Sequence, residues 1–290
     1  MAEPAVTVAG PGSGSGSEAE MPVVPLRHPG TWAASALVTL VAAGMAWSVA
    51  TNPAFQWPVV AQYLFDGQIL AGLRRTLELT VAAMALGLVL GTALAIMRLS
   101  QNRLLSVLSW LYIWFFRSVP VLVQLIFWYN FGALYAHVTL AVPWGPVLYS
   151  ASTNDVITPL TAALAGLGLA QAAYTAEVIR AGILSVPPGQ TRAAKALGMG
   201  PVTIFVRIVF PQAMRVIIPP VGNEVISMVK GTSLVSVIAM ADLLYTAQLI
   251  YARTYETIPL LIVASLWYLA IVSVLSVGQH ALERHYGRGA

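Results

Sequence analysis

About six times this chain runs through enough apolar residues to cross a hydrocarbon layer of roughly 30 Å, which takes about 20 residues of helix. The stretches are residues 32–50, 73–97, 104–136, 157–179, 214–240 and 259–281. Backbone N–H and C=O groups in lipid must be satisfied within the chain, so such a series folds as a bundle of transmembrane helices. The expected class is an all-α, polytopic membrane protein. Hydrophobic residues make up 58% of the chain and charged residues only 9%, which excludes an ordinary soluble domain. The absence of cysteine removes disulfide frameworks, thiolate metal sites and cysteine nucleophiles.

Read in order, residues 1–30 are rich in Gly and Ser, lack apolar periodicity, and form a disordered tail. Residues 31–71 hold an additional N-terminal span and an interfacial segment whose Phe55, Trp57, Tyr63 and Phe65 suit the headgroup level outside the membrane. Ser48, Val49 and Ala50 also resemble a signal-peptidase site, so the first span is either a retained helix or a cleaved leader. In the second span, Gly87 and Gly91 either admit a neighbouring helix closely or are ordinary membrane-helix glycines. The stretch 104–136 is too long for one straight crossing, and Pro120 interrupts it. A shallow helix followed by a crossing one is expected, with Arg117 at the break either snorkelling or facing a cavity. Residues 142–154, with Pro143, Gly145 and Pro146, read as an outer loop, and residues 241–257, with Asp242, Arg253 and Glu256, as an outer connection.

The polar stretch between the fourth and fifth of these spans has its own organisation. Pro187 and Pro188 stop the incoming helix, Gly189 lets the chain turn, and residues 190–197 are mostly good helix formers. Gly198 to Pro201 ends that short helix before Val202 opens another. Two short helices in one polar loop read as a docking module.

Here the chain resembles a known family. Permease subunits of binding-protein-dependent ABC importers carry a Glu-Ala-Ala, three residues, Gly, nine residues, Ile, one residue, Leu-Pro pattern. This chain has Arg192, Ala193, Ala194, then Gly198, Ile208, Phe210 and Pro211 at the same spacing, with Arg192 for Glu and Phe210 for Leu. The wording F-F-R-S-V-P-V-L-V-Q at 115–124 and G-N-E-V-I-S-M-V-K-G-T-S-L-V-S-V-I at 222–238 is similar to the polar amino acid importers among them. The resemblance covers roughly residues 72–283. It implies a five-helix permease core over that range with a cytoplasmic coupling loop at about 183–211 that couples through 186–211, one added N-terminal helix, and a cytoplasmic tail at 284–290. It further implies Arg192, Ala193, Ala194, Gly198, Ile208 and Pro211 as the surface offered to a partner ABC ATPase subunit. The same likeness implies a second permease subunit, same or related, and an extracytoplasmic solute-binding protein delivering a polar amino acid. ATP and magnesium would then belong to the ATPase, with no cofactor in this chain.

Charge supports an orientation with both termini in the cytoplasm. Arg27, Arg98, Arg103, Arg180, Arg192, Lys195, Arg207, Arg215, Arg284 and Arg288 fall on the proposed inner side, against Arg74, Arg75 and Arg253 outside. The basic residues flank apolar spans rather than forming a patch, so the lipid bilayer and not nucleic acid explains them.

A helix from near Met214 places Asn223, Ser227 and Lys230 within roughly 60° of one another, with Glu224 about 60° from Ser227. Such a polar stripe avoids lipid and suits a substrate pathway, to which Thr232, Ser233 and, from the Pro120 helix, Gln124 are added. The alternative is that Asn223 and Glu224 bond backbone loosened by Pro219 and Pro220. No nucleotide-binding G-x-x-x-x-G-K-[ST] loop, H-E-x-x-H or triad appears, and His28, His137, His280 and His285 sit at span ends, so no catalytic or metal residue is expected. An independent secondary transporter or channel for small polar solutes is the competing class. It usually needs a carboxylate chain or an inverted repeat, and neither is visible.

Overall fold

The computed structural model describes residues 29–142 and 146–287. The expected N-terminal tail up to residue 28, Arg27, His28, residues 143–145 of the expected outer loop and Arg288 lie outside the described residues. The chain divides into two compact units, the first ending at Asn52. Helix α1 (Pro29–Thr51) belongs to the first, and it is long and apolar enough to cross a membrane. Two of its hydroxyls bond within the helix, Thr39 donating to Ser35 O at 2.8 Å and Thr51 to Trp47 O at 2.8 Å.

The second unit runs through α2 (Trp57–Leu64), α3 (Gly67–Leu99), α4 (Arg103–Ser118) and α5 (Val121–Tyr129). After an antiparallel hairpin of β1 (His137–Ala141) and β2 (Val147–Ser152) come α6 (Thr153–Val156), α7 (Pro159–Leu184), α8 (Pro188–Ala196) and α9 (Pro201–Ile204). A π-helical turn (Phe205–Val209) leads into α10 (Phe210–Gly231), a 3-10 segment (Thr232–Ile238), α11 (Leu243–Thr254) and α12 (Thr257–Gly287). Among the described residues five helical stretches meet the length and apolarity of a span, or six if the broken pair α4–α5 is one.

The packing is that of a membrane bundle, with many small residues among those buried inside and large apolar ones exposed outside. Along α3 the buried stripe is Gly72, Thr76, Thr80, Ala83, Gly87, Gly91 and Ala95, while Val81, Val89 and Ile96 are exposed. Helix α7 buries Ala162, Ala163, Gly166, Ala170, Ala172, Ala173 and Ala176 and packs against α3, α4, α5 and α10. Lipid is as apolar as leucine, so close backbone approach rather than hydrophobic exclusion holds such helices together. Gly87 and Gly91 do admit a neighbour: a Cβ on Gly91 would stand 2.9 Å from Ala172 O.

Four segments are sharpened by the structure. Residues 53–71 include the short helix α2 and pack on the bundle, where Val60 and Ile69 are buried with Leu243, Ala247, Leu260 and Val263. The region 104–136 breaks by 100° between α4 and α5. At nine residues, about 13 Å of helix, α5 does not cross a bilayer alone. The expected outer loop at 142–154 contributes β2, whose Ser152 lies opposite His137 of β1. The expected connection at 241–257 is largely α11, packed on α3 and α12. Its N-cap Asp242 is fully buried, accepting from Tyr245 N at 2.8 Å and from the Tyr268 hydroxyl at 3.2 Å. Arg74 and Arg75, expected at the outer surface, lie on α3 and pair with Glu78 at 2.7 and 3.1 Å.

Three prolines shape the return path. Pro211 has no N–H for the carbonyl four residues back and crowds it, and here the chain widens into the π-helical turn before resuming as α10. Pro219 and Pro220 sit inside α10, which continues through them. Gln279 of α12 donates to Pro219 O at 2.8 Å and to Glu283 at 2.8 Å, and a Cβ on Gly222 would fall 1.8 Å from its Oε1. Only glycine at 222 lets that amide reach the proline pair.

Candidate functional site

Glu224 is the centre of the polar arrangement. It projects from α10 towards α7, where its Oε2 accepts from Gln171 Nε2 at 2.7 Å and from the Thr175 hydroxyl at 3.0 Å. Gln171 also donates to Thr175 at 3.0 Å, so two residues one turn apart hold a single carboxylate oxygen. Both are buried. Among the described residues no Lys, Arg or His pairs with Glu224; the ion pairs lie at Glu78 and at Glu177 with Arg180.

This carboxylate lines a cavity of about 290 Å³, close to the lower bound of roughly 300–1,000 Å³ for small-molecule pockets. Its walls are Val121 of α5, Leu167, Ala170, Gln171 and Tyr174 of α7, and Glu224, Ser227, Met228 and Gly231 of α10, with Leu234 beyond. The lining is apolar except for the Gln171, Tyr174, Glu224 and Ser227 functions. One carboxylate held by neutral donors in an apolar cleft can bind a cation there and has little other chemistry to offer.

The expected stripe therefore divides. Glu224 and Ser227 reach the cavity, whereas Asn223 and Lys230 are exposed on α10 outside its lining. Thr232 is fully buried and donates to Val229 O at 2.7 Å, and Ser233 donates to Lys230 O at 2.7 Å, so both hydroxyls serve the helix end. Gln124 is not in this cavity either. Pro120 cannot donate to Phe116 O, and Gln124 Nε2 does so instead at 3.1 Å, reaching Val119 O at 2.9 Å as well. Gln124 closes the α4–α5 elbow. Sequence reasoning did not single out Gln171 or Thr175; their spacing of four on one face of α7 was the available signal.

Past Tyr174, which lines the cavity, Glu177 lies one turn further along α7. The Arg117 guanidinium stands 5.4 Å from the Tyr174 ring centroid, and Arg180 grips Glu177 through Nε and Nη2, the latter at 2.7 Å. Beyond α7 the loop forms the two expected short helices. Helix α8 ends in a Schellman turn, with Met199 N donating to Ala194 O and Gly198 N to Lys195 O, and Gly198 takes φ +75°. Arg192, Ala193 and Gly198 are exposed, as is Pro211, while Ile208 is half-buried. Ala194 is buried within this chain, on the side of α8 that meets α9 and the π-helical turn. Leu197 and Val202 stand out at 82% and 74% exposure, an apolar pair on a polar loop.

Residues 83–288 match the family described as the binding-protein-dependent transport system inner membrane component. The arginine transport system permease protein ArgU of Corynebacterium glutamicum is 43% identical over 282 residues, covering 97% of this chain and 88% of that protein. The histidine/lysine/arginine/ornithine transport system permease protein HisQ of Escherichia coli is 34% identical over 228 residues, 78% of this chain and 96% of that one. Among solved structures, an amino acid ABC transporter crystallised with histidines aligns with a TM-score of 0.64 at 33% identity, covering 75% of this chain and 94% of its own. The spans and these likenesses agree: the chain belongs to the binding-protein-dependent transport system inner membrane component family, as a multi-pass permease of the amino acid ABC transporters.

Proposed function

We propose that this chain is the transmembrane subunit of an ATP-driven importer whose cargo is a polar amino acid with a cationic side chain. The observation that carries the cargo is Glu224, a half-buried carboxylate in an amino-acid-sized cavity with neutral donors and no cation of its own among the described residues. The relatives named for arginine and for histidine, lysine, arginine and ornithine support the same class. A cationic group entering the cavity supplies the missing counter-charge, and the apolar walls strengthen the attraction by excluding water. Lys230, exposed about 9 Å along the helix from Glu224, is available to the solute carboxylate at another stage of passage.

In this reading the chain is not itself an enzyme. ATP and magnesium are held by a partner ATPase, on which the 186–211 loop seats its exposed face of Arg192, Ala193, Gly198, Leu197 and Val202. A second permease, same or related, completes the pathway, and an extracytoplasmic binding protein delivers the solute. Both termini and α8 face the cytoplasm of an inner membrane.

The test is uptake of labelled arginine into vesicles holding the permease, the ATPase and the binding protein. Glu224→Gln keeps shape and removes charge, and is expected to lower uptake by tenfold or more, about 1.4 kcal/mol, with assembly on the ATPase intact. Normal uptake by this variant, or loss of assembly, makes Glu224 structural and moves the pathway elsewhere.

A further inference from the structure

Two groups lining the cavity suit a cation, and one of them already carries a guanidinium from outside the lining. Glu224 offers a carboxylate, and Tyr174, on the same wall one turn from Gln171, offers an aromatic face. That ring is covered by Arg117 of α4, 5.4 Å from its centroid. Arg117 is exposed and forms none of the ion pairs seen among the described residues, so the ring holds it without a carboxylate clamp. Its backbone is fixed independently: Tyr112, further back on α4, donates to Leu169 O of α7 at 3.0 Å, and the Gln124 elbow follows it. A second carboxylate, Glu177, lies one turn along α7 from Tyr174, where Arg180 grips it.

We propose that Arg117 is a specificity-determining residue, a resident guanidinium that holds the Tyr174 face against a cationic solute and is displaced towards Glu177 when one loads. The idea rests on the reading of Glu224 as the cation-binding group. An uncharged side chain has little to gain from either the ring or the carboxylate and does not compete for them. A cation must share the ring with Arg117, so its apparent affinity falls by the fraction of time the ring is covered. Return of Arg117 to the ring then favours release of the solute.

The test is equilibrium binding of labelled L-arginine and of its uncharged analogue L-citrulline to the purified permease–ATPase complex in lipid nanodiscs, without binding protein. Arg117→Gln is expected to tighten arginine binding by about two- to fivefold, the range of an exposed cation–aromatic contact, and to leave citrulline unchanged. Arg117→Lys keeps a cation over the ring and stays near the native value. In a Tyr174→Leu background, Arg117→Gln brings no gain. Equal shifts for both ligands, no shift for arginine, or a gain that persists without the ring overturns the proposal. Glu224→Gln is measured alongside. If it abolishes arginine binding while Arg117→Gln changes nothing, only the competition fails; if it leaves binding intact, the reading of the cavity fails with it.

Discussion

Gln171 is supported from behind by Gly87. A Cβ on Gly87 of α3 would stand 2.5 Å from Gln171 Cγ and 2.8 Å from its Cβ, so the absence of a side chain there lets the Gln171 stem seat and aim its amide at Glu224, 2.7 Å away. Three helices thus meet in one line, α3 giving space, α7 a donor and α10 a charge.

Gly87→Ala therefore acts on the site without touching it. The new methyl meets the base of Gln171 rather than a flexible tip, so α7 or the Gln171 rotamer must shift, at about 1–3 kcal/mol of overpacking. Arginine uptake is expected to fall along with the thermal stability of the purified protein. Gly278→Ala in α12, where nothing lies within 4 Å of the added Cβ, is the control and should be neutral or slightly stabilising. Equal behaviour of the two variants breaks the link between Gly87 and the site.

Gly198 separates the fold from the coupling loop's proposed partner. Its φ of +75° disfavours any L side chain, and Gly198→Ala is expected to cost about 1–2 kcal/mol at the α8 terminus. Among the described residues nothing beyond its chain neighbours lies within 4 Å of a Cβ placed there, so Gly198→Arg carries the same backbone cost and starts into open space. The two variants should melt together. If α8 seats on the ATPase, the Arg variant alone loses ATP-driven uptake; equal uptake removes Gly198 from that interface.

The spans and the two short helices of the polar loop were legible because each depends on local chemistry: apolar length for the first, paired prolines and glycines for the second. What was not legible depended on partners remote in sequence. Residues 241–257 carry Asp242, Arg253 and Glu256 and look like a solvated connection. Asp242 is nevertheless buried, because as the α11 N-cap it bonds Tyr245 N and meets Tyr268 of α12. Gln124 looked like a pathway residue; its Nε2 is given to Phe116 O and Val119 O beside Pro120, and it lies outside the Glu224 cavity. Glu224 was found as an intramembrane charge, while the face it uses became visible only with α7 beside it. The division of the stripe into Glu224 and Ser227 on the cavity, and Asn223 and Lys230 off it, follows from that packing and not from helical periodicity.

Topology is testable with single cysteines in this cysteine-free chain. Gln62 of α2, Thr254 at the end of α11 and Gly189 in α8 are all exposed. A membrane-impermeant maleimide added to intact cells is expected to label cysteine at 62 and at 254, and to label cysteine at 189 only after permeabilisation. Labelling of 189 in intact cells reverses the proposed orientation. Unequal labelling of 62 and 254 sets α2 and α11 on opposite sides.

The buried Asp242 gives the last expectation. Its Oδ1 accepts from Tyr245 N at 2.8 Å and its Oδ2 from the Tyr268 hydroxyl at 3.2 Å, so one side chain joins the start of α11 to the middle of α12. Asparagine caps helices as well as aspartate does, and its amide can donate to the tyrosine oxygen, so Asp242→Asn should change stability little. Asp242→Ala loses the cap, about 1 kcal/mol, and leaves a buried hydroxyl without its acceptor, about 1–3 kcal/mol more. Tyr268→Phe removes the other half of the contact. Because the two groups serve each other, the double variant Asp242→Ala with Tyr268→Phe should lose less than the separate losses added together. Thermal unfolding in detergent reads all four. Additive losses, or an Asn variant as damaged as the Ala one, show that α11 is held by its apolar contacts with Leu260 and Val263 and that the carboxylate is incidental to the packing.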